Sequence, residues 1–286
     1  MSKLYIVPTP IGNLGDMTER AIATLKESDL ILAEDTRHTQ KLLNHFDIKV
    51  SLVSYHKFNE ISRSQEIISE ILEDNKIVSL VTDAGTPCIS DPGYELVKRA
   101  RESGIEVIGL AGASAVTIAL SVAGIDTYQF AFYGFMPRKK GELVEALQNV
   151  KDNPIKTFVL YESPKRVLNL VEIIKEIMPN ATLCVCKELT KLHENTFYGN
   201  VDSVLEKLNQ HEDVERGEYV VVGYNNDYQE KEQDSIISIH GILFDKLINK
   251  SYSLKEAVNE IVEEGLASKN EAYKASLDIK NFIENY

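Results

Sequence analysis

The residues able to do chemistry fall in seven short segments: TPIGNLGD (9–16), EDTRHT (34–39), TDAGTPCISDPG (82–93), AGASA (111–115), GFMPRKKG (134–141), YESPKR (161–166) and ELTKLHE (188–194). Each follows an apolar run of the kind that makes a buried strand, such as KIVSLV before residue 82. Glycine opens backbone conformations that other residues avoid, proline fixes φ, and Asp, Ser and Thr bond to nearby backbone groups. Such a segment either receives a ligand or only turns the chain.

The segment 9–16 has Pro10 between Gly12 and the proline before it, and reads equally as a ligand loop or a tight turn. No G-x-x-x-x-G-K-[ST] and no G-x-G-x-x-G occurs, so the Walker and dinucleotide sites lack their fingerprint. In 111–115 small side chains precede an apolar helix. They allow either ligand approach to free N–H groups or close helix-to-sheet packing. Glu34, Asp35 and Arg37 form either a salt-bridge and cap cluster or a site, because loop ends carry both. In TDAGTPCISDPG the two aspartate-bearing turns are expected to differ. The first, Asp83–Thr86, is expected to touch ligand, and the second, Ser90–Gly93, to redirect the chain and cap the helix near Tyr94.

Placing these loops requires a frame. Strand-like and helix-like segments alternate from KLYIVPT to EYVVVGY, which predicts an α/β fold with a mainly parallel sheet in its first part. The rhythm restarts at Tyr128, and the neighbouring runs 182–189 and 196–201 predict antiparallel pairing in the second part. The boundaries follow: an N-terminal α/β lobe over 1–127, a C-terminal α/β lobe over 128–225, a polar linker over 226–240 and a helical module over 241–286. In parallel α/β architecture ligands bind beyond the carboxyl ends of the strands, where these loops lie.

The composition is that of a globular chain, with 43% hydrophobic residues in 286. No run approaches the roughly 20 apolar residues of a membrane span, and the apolar start is too short for a signal peptide. A cytoplasmic location is expected. Cys88, Cys184 and Cys186 lack metal-ligand spacing, so no metal is expected. Cys184 and Cys186 read as thiols on one face of a buried strand. The net charge of −13 argues against a nonspecific nucleic-acid binder.

Taken together, LYIVPTPIGNLGDMTERA, ILAEDTRHTQKLL, VTDAGTPCISDPGYELV, GFMPRKKG, YESPKRV and KELTKLHE resemble the small-subunit (16S) ribosomal RNA cytidine-2′-O-methyltransferases. These belong to the tetrapyrrole (corrin/porphyrin) methylase superfamily. The likeness runs in order over about residues 3–225, and the C-terminal helical segment also resembles the family's tail. It implies two α/β lobes with S-adenosylmethionine (SAM) in the cleft between them, a homodimer, and 16S rRNA in the small subunit as partner. The implied cofactor contacts are Pro10, Ile11, Gly12, Asp83, Gly85, Thr86, Ser114, Ala115, Tyr161 and Leu189. The chain departs from the family pattern at Ala111 and Ala113, which replace prolines, at Thr82, which replaces serine, and at Lys165, which replaces histidine.

Methyl transfer to a ribose hydroxyl is an in-line displacement, and a weakly acidic nucleophile needs a base or strong desolvation. The candidates are Asp35 and Glu188, with Lys191 if burial lowers its pKa. Arg37, Arg138, Lys139, Lys140, Lys165 and Arg166 are candidates for rRNA phosphates. Two other functions compete: methylation of a corrin or porphyrin precursor, and a non-catalytic SAM- or RNA-binding module.

Overall fold

The computed structural model describes residues 2–229, 239–249 and 252–284. They form two compact units, one ending at Tyr228 and the other beginning at Gln229.

The first unit holds two sheets. The first is wholly parallel, in the order β3-β2-β4-β1-β5, with β1 at Lys3–Ile6, β2 at Leu30–Ala33, β3 at Ser51–Ser54, β4 at Ile77–Val81 and β5 at Glu106–Gly109. Successive residues of a strand point to opposite faces, and β2 shows why all four of its residues are buried. Leu30 and Leu32 pack with Ile67, Ile68 and Ile71 of α3 (Glu60–Glu73) and Leu96 of α4 (Tyr94–Glu102). Ile31 and Ala33 pack with Ala21 and Leu25 of α1 (Glu19–Glu27) and Leu43 of α2 (Thr36–His45). Thr18 caps α1 through its side chain, as its position predicts. The edge strand β3 escapes sequence reading, being four residues with little apolar signal.

The second sheet is mixed, in the order β6-β7-β10-β8-β9. Its strands are β6 at Phe130–Phe135, β7 at Thr157–Glu162, β8 at Thr182–Lys187, β9 at Asn195–Asn200 and β10 at Tyr219–Tyr224. β6 and β7 run parallel, and β8 pairs antiparallel with both β9 and β10, as the closely spaced runs suggest. α6 (Lys140–Lys151), α7 (Val167–Ile177) and α8 (Val201–Asn209) cover one face through Leu147, Leu170, Val171 and Val204. The other face is covered by α5 (Ala115–Val122), which follows the last strand of the first sheet. Val116, Ala119 and Leu120 pack there against Val159, Cys184, Cys186, Val220 and Val222. Cys184 and Cys186 are fully buried free thiols, with sulfurs 3.8 Å apart. One helix thus joins the two lobes, with only Thr117 and Ser121 as polar residues, both on its exposed side.

Asn225 and Asp227 belong to the first unit by hydrogen bonding. The Asn225 amide donates to Lys151 O, and Asp227 accepts from the backbone and side chain of Asn180. Of the expected linker, 230–238 lies outside the described residues. The second unit contains α9 (Ile239–Asn249), α10 (Leu254–Glu263) and α11 (Lys269–Glu284), packed around Leu243, Ala257, Ile261 and Ala272. No helix among the described residues is long and apolar enough to cross a membrane.

Candidate active site

Strand order brings the chemistry together. β2, β4, β1 and β5 are consecutive in the first sheet, so their exits at 34–39, 82–93, 9–16 and 110–115 lie side by side. In the second sheet β10 runs antiparallel to β7 and β8, with Tyr219 opposite both Glu162 and Lys187. The start of β10 therefore joins the ends of its neighbours. Between the two sets lies a cavity of about 350 Å³.

Hydrogen bonds sew the first side of this cavity into one surface. Thr9 and Gly85 exchange backbone bonds at 2.9 and 3.0 Å, and the Thr9 hydroxyl donates to Thr82 O. The Thr86 hydroxyl donates to Ala113 O at 2.9 Å. Gly85 has φ of 85°, a conformation that favours glycine. Cys88 and Ser90, with φ of 72° and 67°, are held there too, and so are Glu188 and Thr190 at 55° and 67° across the cleft. Left-handed non-glycine residues cost energy, and here both pairs stand in loops that border the cavity.

The cavity takes in Ile11, Gly85, Thr86, Ser114, Ala115, Tyr161 and Leu189 of the residues named from sequence. Pro10, Gly12 and Asp83 are not in its lining. Gly12 serves a close approach instead, because a Cβ there would collide with the stem of Lys191. Asp83 accepts the backbone N–H of Asp35 at 3.1 Å and so joins two strand exits. The lining also includes residues to which the sequence assigned no ligand contact: Ile89, Ser90, Asp91, Phe135, Glu162 and the segment Gly217–Val220. For 217–220 no local signal exists, since the insertion of β10 between β7 and β8 is a tertiary fact.

The three groups named from sequence as candidate bases are all engaged in ion pairs. Asp35 caps α2 by accepting Arg37 N–H and takes a two-pronged bond from the Arg37 guanidinium, which holds its carboxyl well below the usual range. A base so weakened, and outside the lining, is poorly suited to accept a proton. Burial pulls the Lys191 pKa down, but its bonds to Glu188 and Glu218, each 2.8 Å, outweigh burial and the net shift is upward. That is opposite to what a lysine base requires. Glu188 is committed to Lys191 and to the N–H of Glu218.

Arg166 pairs with the fully buried Glu162 at 3.0 Å and donates to Met136 O and Pro137 O. Its guanidinium is thus engaged inside the protein, unlike the exposed Arg138, Lys140 and Lys165. Lys139 pairs with Glu142, and Arg37 with Asp35. The Ser90–Gly93 turn leads into α4 as expected, with Gly93 as the N-cap residue of the helix that starts at Tyr94. Gly93 has φ of 137°, no side chain caps the helix, and the Gly93 N–H donates to Glu60 of α3. Ser90 and Asp91 face the cavity, so the second turn also belongs to the site.

The electrostatics are one-sided. Asp91, Glu162 and Glu218 line the cavity and, among the described residues, no Lys, Arg or His does, the cations paired with Glu162 and Glu218 standing outside the lining. Burial raises the Glu34 pKa, with Asp83 adding to the effect. Burial, then Glu34 and Asp83, push Asp91 up to about 7. Such a cavity accepts a cation or a neutral group more readily than an anion. Among the described residues, no group of three or more His, Cys, Asp or Glu is placed to hold a metal ion.

Two lobes joined through one apolar helix, with a site where their strand ends meet, define a class. The chain belongs to the tetrapyrrole (corrin/porphyrin) methylases, whose profile matches residues 3–205. Among its relatives, the protein named ribosomal RNA small subunit methyltransferase I of Halalkalibacterium halodurans is 40% identical over 94% of this chain and 93% of its own length. The protein of that name from Bacillus subtilis is also 40% identical, over 97% of this chain and 90% of its own. The fold is shared with the methyltransferase CobJ, at 17% identity and a TM-score of 0.57 over 79% of this chain and 95% of that one. It is shared too with uroporphyrin-III-C-methyltransferase from Thermus thermophilus, at 19% identity and a TM-score of 0.54 over 78% and 94%.

Proposed function

We propose that this protein is a SAM-dependent methyltransferase acting on the ribosomal RNA of the small subunit, at the ribose 2′-oxygen of a cytidine in 16S rRNA. The observation that carries the cofactor assignment is the inter-lobe cavity, with three carboxylates and, among the described residues, no basic side chain in its lining. SAM supplies a methyl group on a positively charged sulfonium, and the lining fits that charge. The glycine-bearing loop at Ala84–Thr86 and the small residues Ser114 and Ala115 let a ligand reach the backbone. Leu189, Ile11 and Val220 give the cavity apolar walls that exclude water, which strengthens electrostatic interactions inside it. The names of the relatives support rRNA as the methyl acceptor, and a cytoplasmic homodimer fits the same reading. Incubation with radiolabelled SAM and unmodified small subunits, naked 16S rRNA or a precorrin tests it. Label in the rRNA of the subunits is expected, and label in the precorrin alone would replace this reading with the corrin one.

With a net charge of −13, the protein has little bulk attraction for RNA. Recognition then rests on local cations around an assembled substrate. Arg138, Lys139 and Lys140 are exposed and follow the cavity residue Phe135 by a few positions. Replacing all three by Ala is expected to raise KM for subunits and to lower the salt slope of binding by about 2, the loss of about three single-strand phosphate contacts. SAM affinity should stay at the wild-type value by calorimetry.

A further inference from the structure

Of the three carboxylates in the cavity, two are already spoken for. Glu162 is fully buried, pairs with Arg166 and accepts the N–H and hydroxyl of Ser163. Glu218 pairs with Lys191. Asp91 has neither a hydrogen bond nor a cation among the described residues, although it lies in the lining of the cavity. The groups that face it are Glu34 from the β2 exit, Asp83 from the β4 exit, Tyr161 from β7 and Cys88 of its own loop. Two of these are carboxylates, and none is a cation.

The loop that presents Asp91 is held in a costly shape. Cys88 and Ser90 adopt positive φ on its N-terminal side. Ile89 N–H donates to Thr86 O, Cys88 N–H to Pro92 O, and Gly93 N–H to Glu60. Gly93 ends the loop as the N-cap residue of α4, and neither Ser90 nor Asp91 caps that helix through its side chain. What the loop achieves is an unpartnered carboxylate on the cavity wall, in the same lining as Gly85, Thr86 and Ser114.

We infer that Asp91 is the catalytic residue that takes the proton from the acceptor hydroxyl during methyl transfer. The inference rests on the methyltransferase reading given above. As the hydroxyl oxygen forms its bond to the methyl carbon, the carbon–sulfur bond breaks and its electron pair stays on sulfur. The hydroxyl proton passes to a carboxylate oxygen of Asp91 and then to water, so charge and atoms balance. Burial and the negative neighbours supply the affinity for that proton, and a pKa of about 7 places the base near working pH.

The sign of the pH dependence follows. Asp91 must be ionised to accept a proton, so the rate rises with pH through a midpoint near 7. Stability moves the other way. The folded protein holds this proton to about pH 7, whereas an unfolded aspartate releases it near 3.9, so Asp91 lowers stability as pH climbs between those values.

The test compares wild type, Asp91→Asn and Glu34→Gln from about pH 5.5 to about 9. Single-turnover methylation of unmodified small subunits is measured at saturating SAM, with SAM affinity by calorimetry and carboxyl carbon NMR of the protein alone. Asp91→Asn is expected to slow transfer by about 100-fold or more, to abolish the midpoint, and to keep SAM affinity within about 3-fold. Glu34→Gln should move the midpoint down, because one negative neighbour is gone, while sparing the plateau rate. A wild-type rate and midpoint in Asp91→Asn overturns the assignment. So does a loss of SAM affinity matching the loss of rate, which would make Asp91 a cofactor contact. If wild type itself leaves subunits unmethylated, it is the rRNA reading that fails. An Asp91 carboxyl that titrates near 4 overturns the base assignment whatever the acceptor.

Discussion

Gly85→Val is expected to abolish SAM binding while leaving the protein folded. Gly85 is where three strand exits meet: its backbone pairs in both directions with Thr9, and the next residue bonds to Ala113 O. Space alone does not demand glycine, since a Cβ would lie 3.5 Å from Ile11 Cγ2, an ordinary contact. The backbone does demand it. At φ of 85° a β-branched residue is a severe outlier, at a cost of about 1–3 kcal/mol. Valine also adds two methyl groups that must enter either the cavity or the Ile11 side chain. To relieve the strain the loop must give up its pairing with Thr9, which dissolves the cavity wall. Calorimetry should show SAM affinity reduced by about 100-fold or more, and Gly85→Ala should fall between, near 10-fold, as about 1.4 kcal/mol predicts. Melting temperatures should drop by no more than about 2–10 °C, without loss of the folded state, because the core of each lobe lies away from this loop. Wild-type affinity in Gly85→Val would remove the loop from the site.

This loop also marks the boundary of what was legible from residues alone. The alternation of apolar and helical segments announced the parallel sheet, because strands buried on both faces read as continuous apolar runs. The Cys184–Cys186 spacing announced a buried strand. Part of the first aspartate turn, expected from sequence to meet ligand, lies on the cavity wall through Ala84, Gly85 and Thr86. The second turn carried no such expectation: SDPG has the chemistry of a turn, and its place on the cavity wall depends on how Cys88 and Ser90 bend the chain before it. Asp91 likewise owes its raised pKa to burial and to Glu34, 57 positions away in sequence. The raised pKa of Lys191 was hidden for a similar reason, since its partner Glu218 stands just before β10, which no local pattern places next to it. Charges can be counted in a sequence, but their pairing belongs to the fold.

Arg166 shows that point with the largest stability consequence. In YESPKR it is one of two adjacent cations, and either could hold a phosphate. In the fold Lys165 is exposed, while Arg166 turns inward to Glu162, whose side chain is wholly buried. The guanidinium also donates to two carbonyls, Met136 O and Pro137 O, at 3.0 and 2.8 Å. One side chain therefore fastens the end of β7 to the segment that carries Phe135 and Arg138. Arg166→Ala leaves a buried carboxylate without its cation and two carbonyls without their donor. The expected loss is about 3 kcal/mol, or roughly 5–10 °C in melting temperature. Arg166→Lys should recover little, because an ammonium cannot reproduce a planar fork that serves a carboxylate and two carbonyls together. The salt dependence of subunit binding should remain that of wild type, in contrast to the Arg138, Lys139 and Lys140 triple variant. A stable Arg166→Ala protein with a shallower salt slope would return Arg166 to the RNA-binding surface. The contrast between these two variants separates cations that hold the site in shape from cations that meet the substrate.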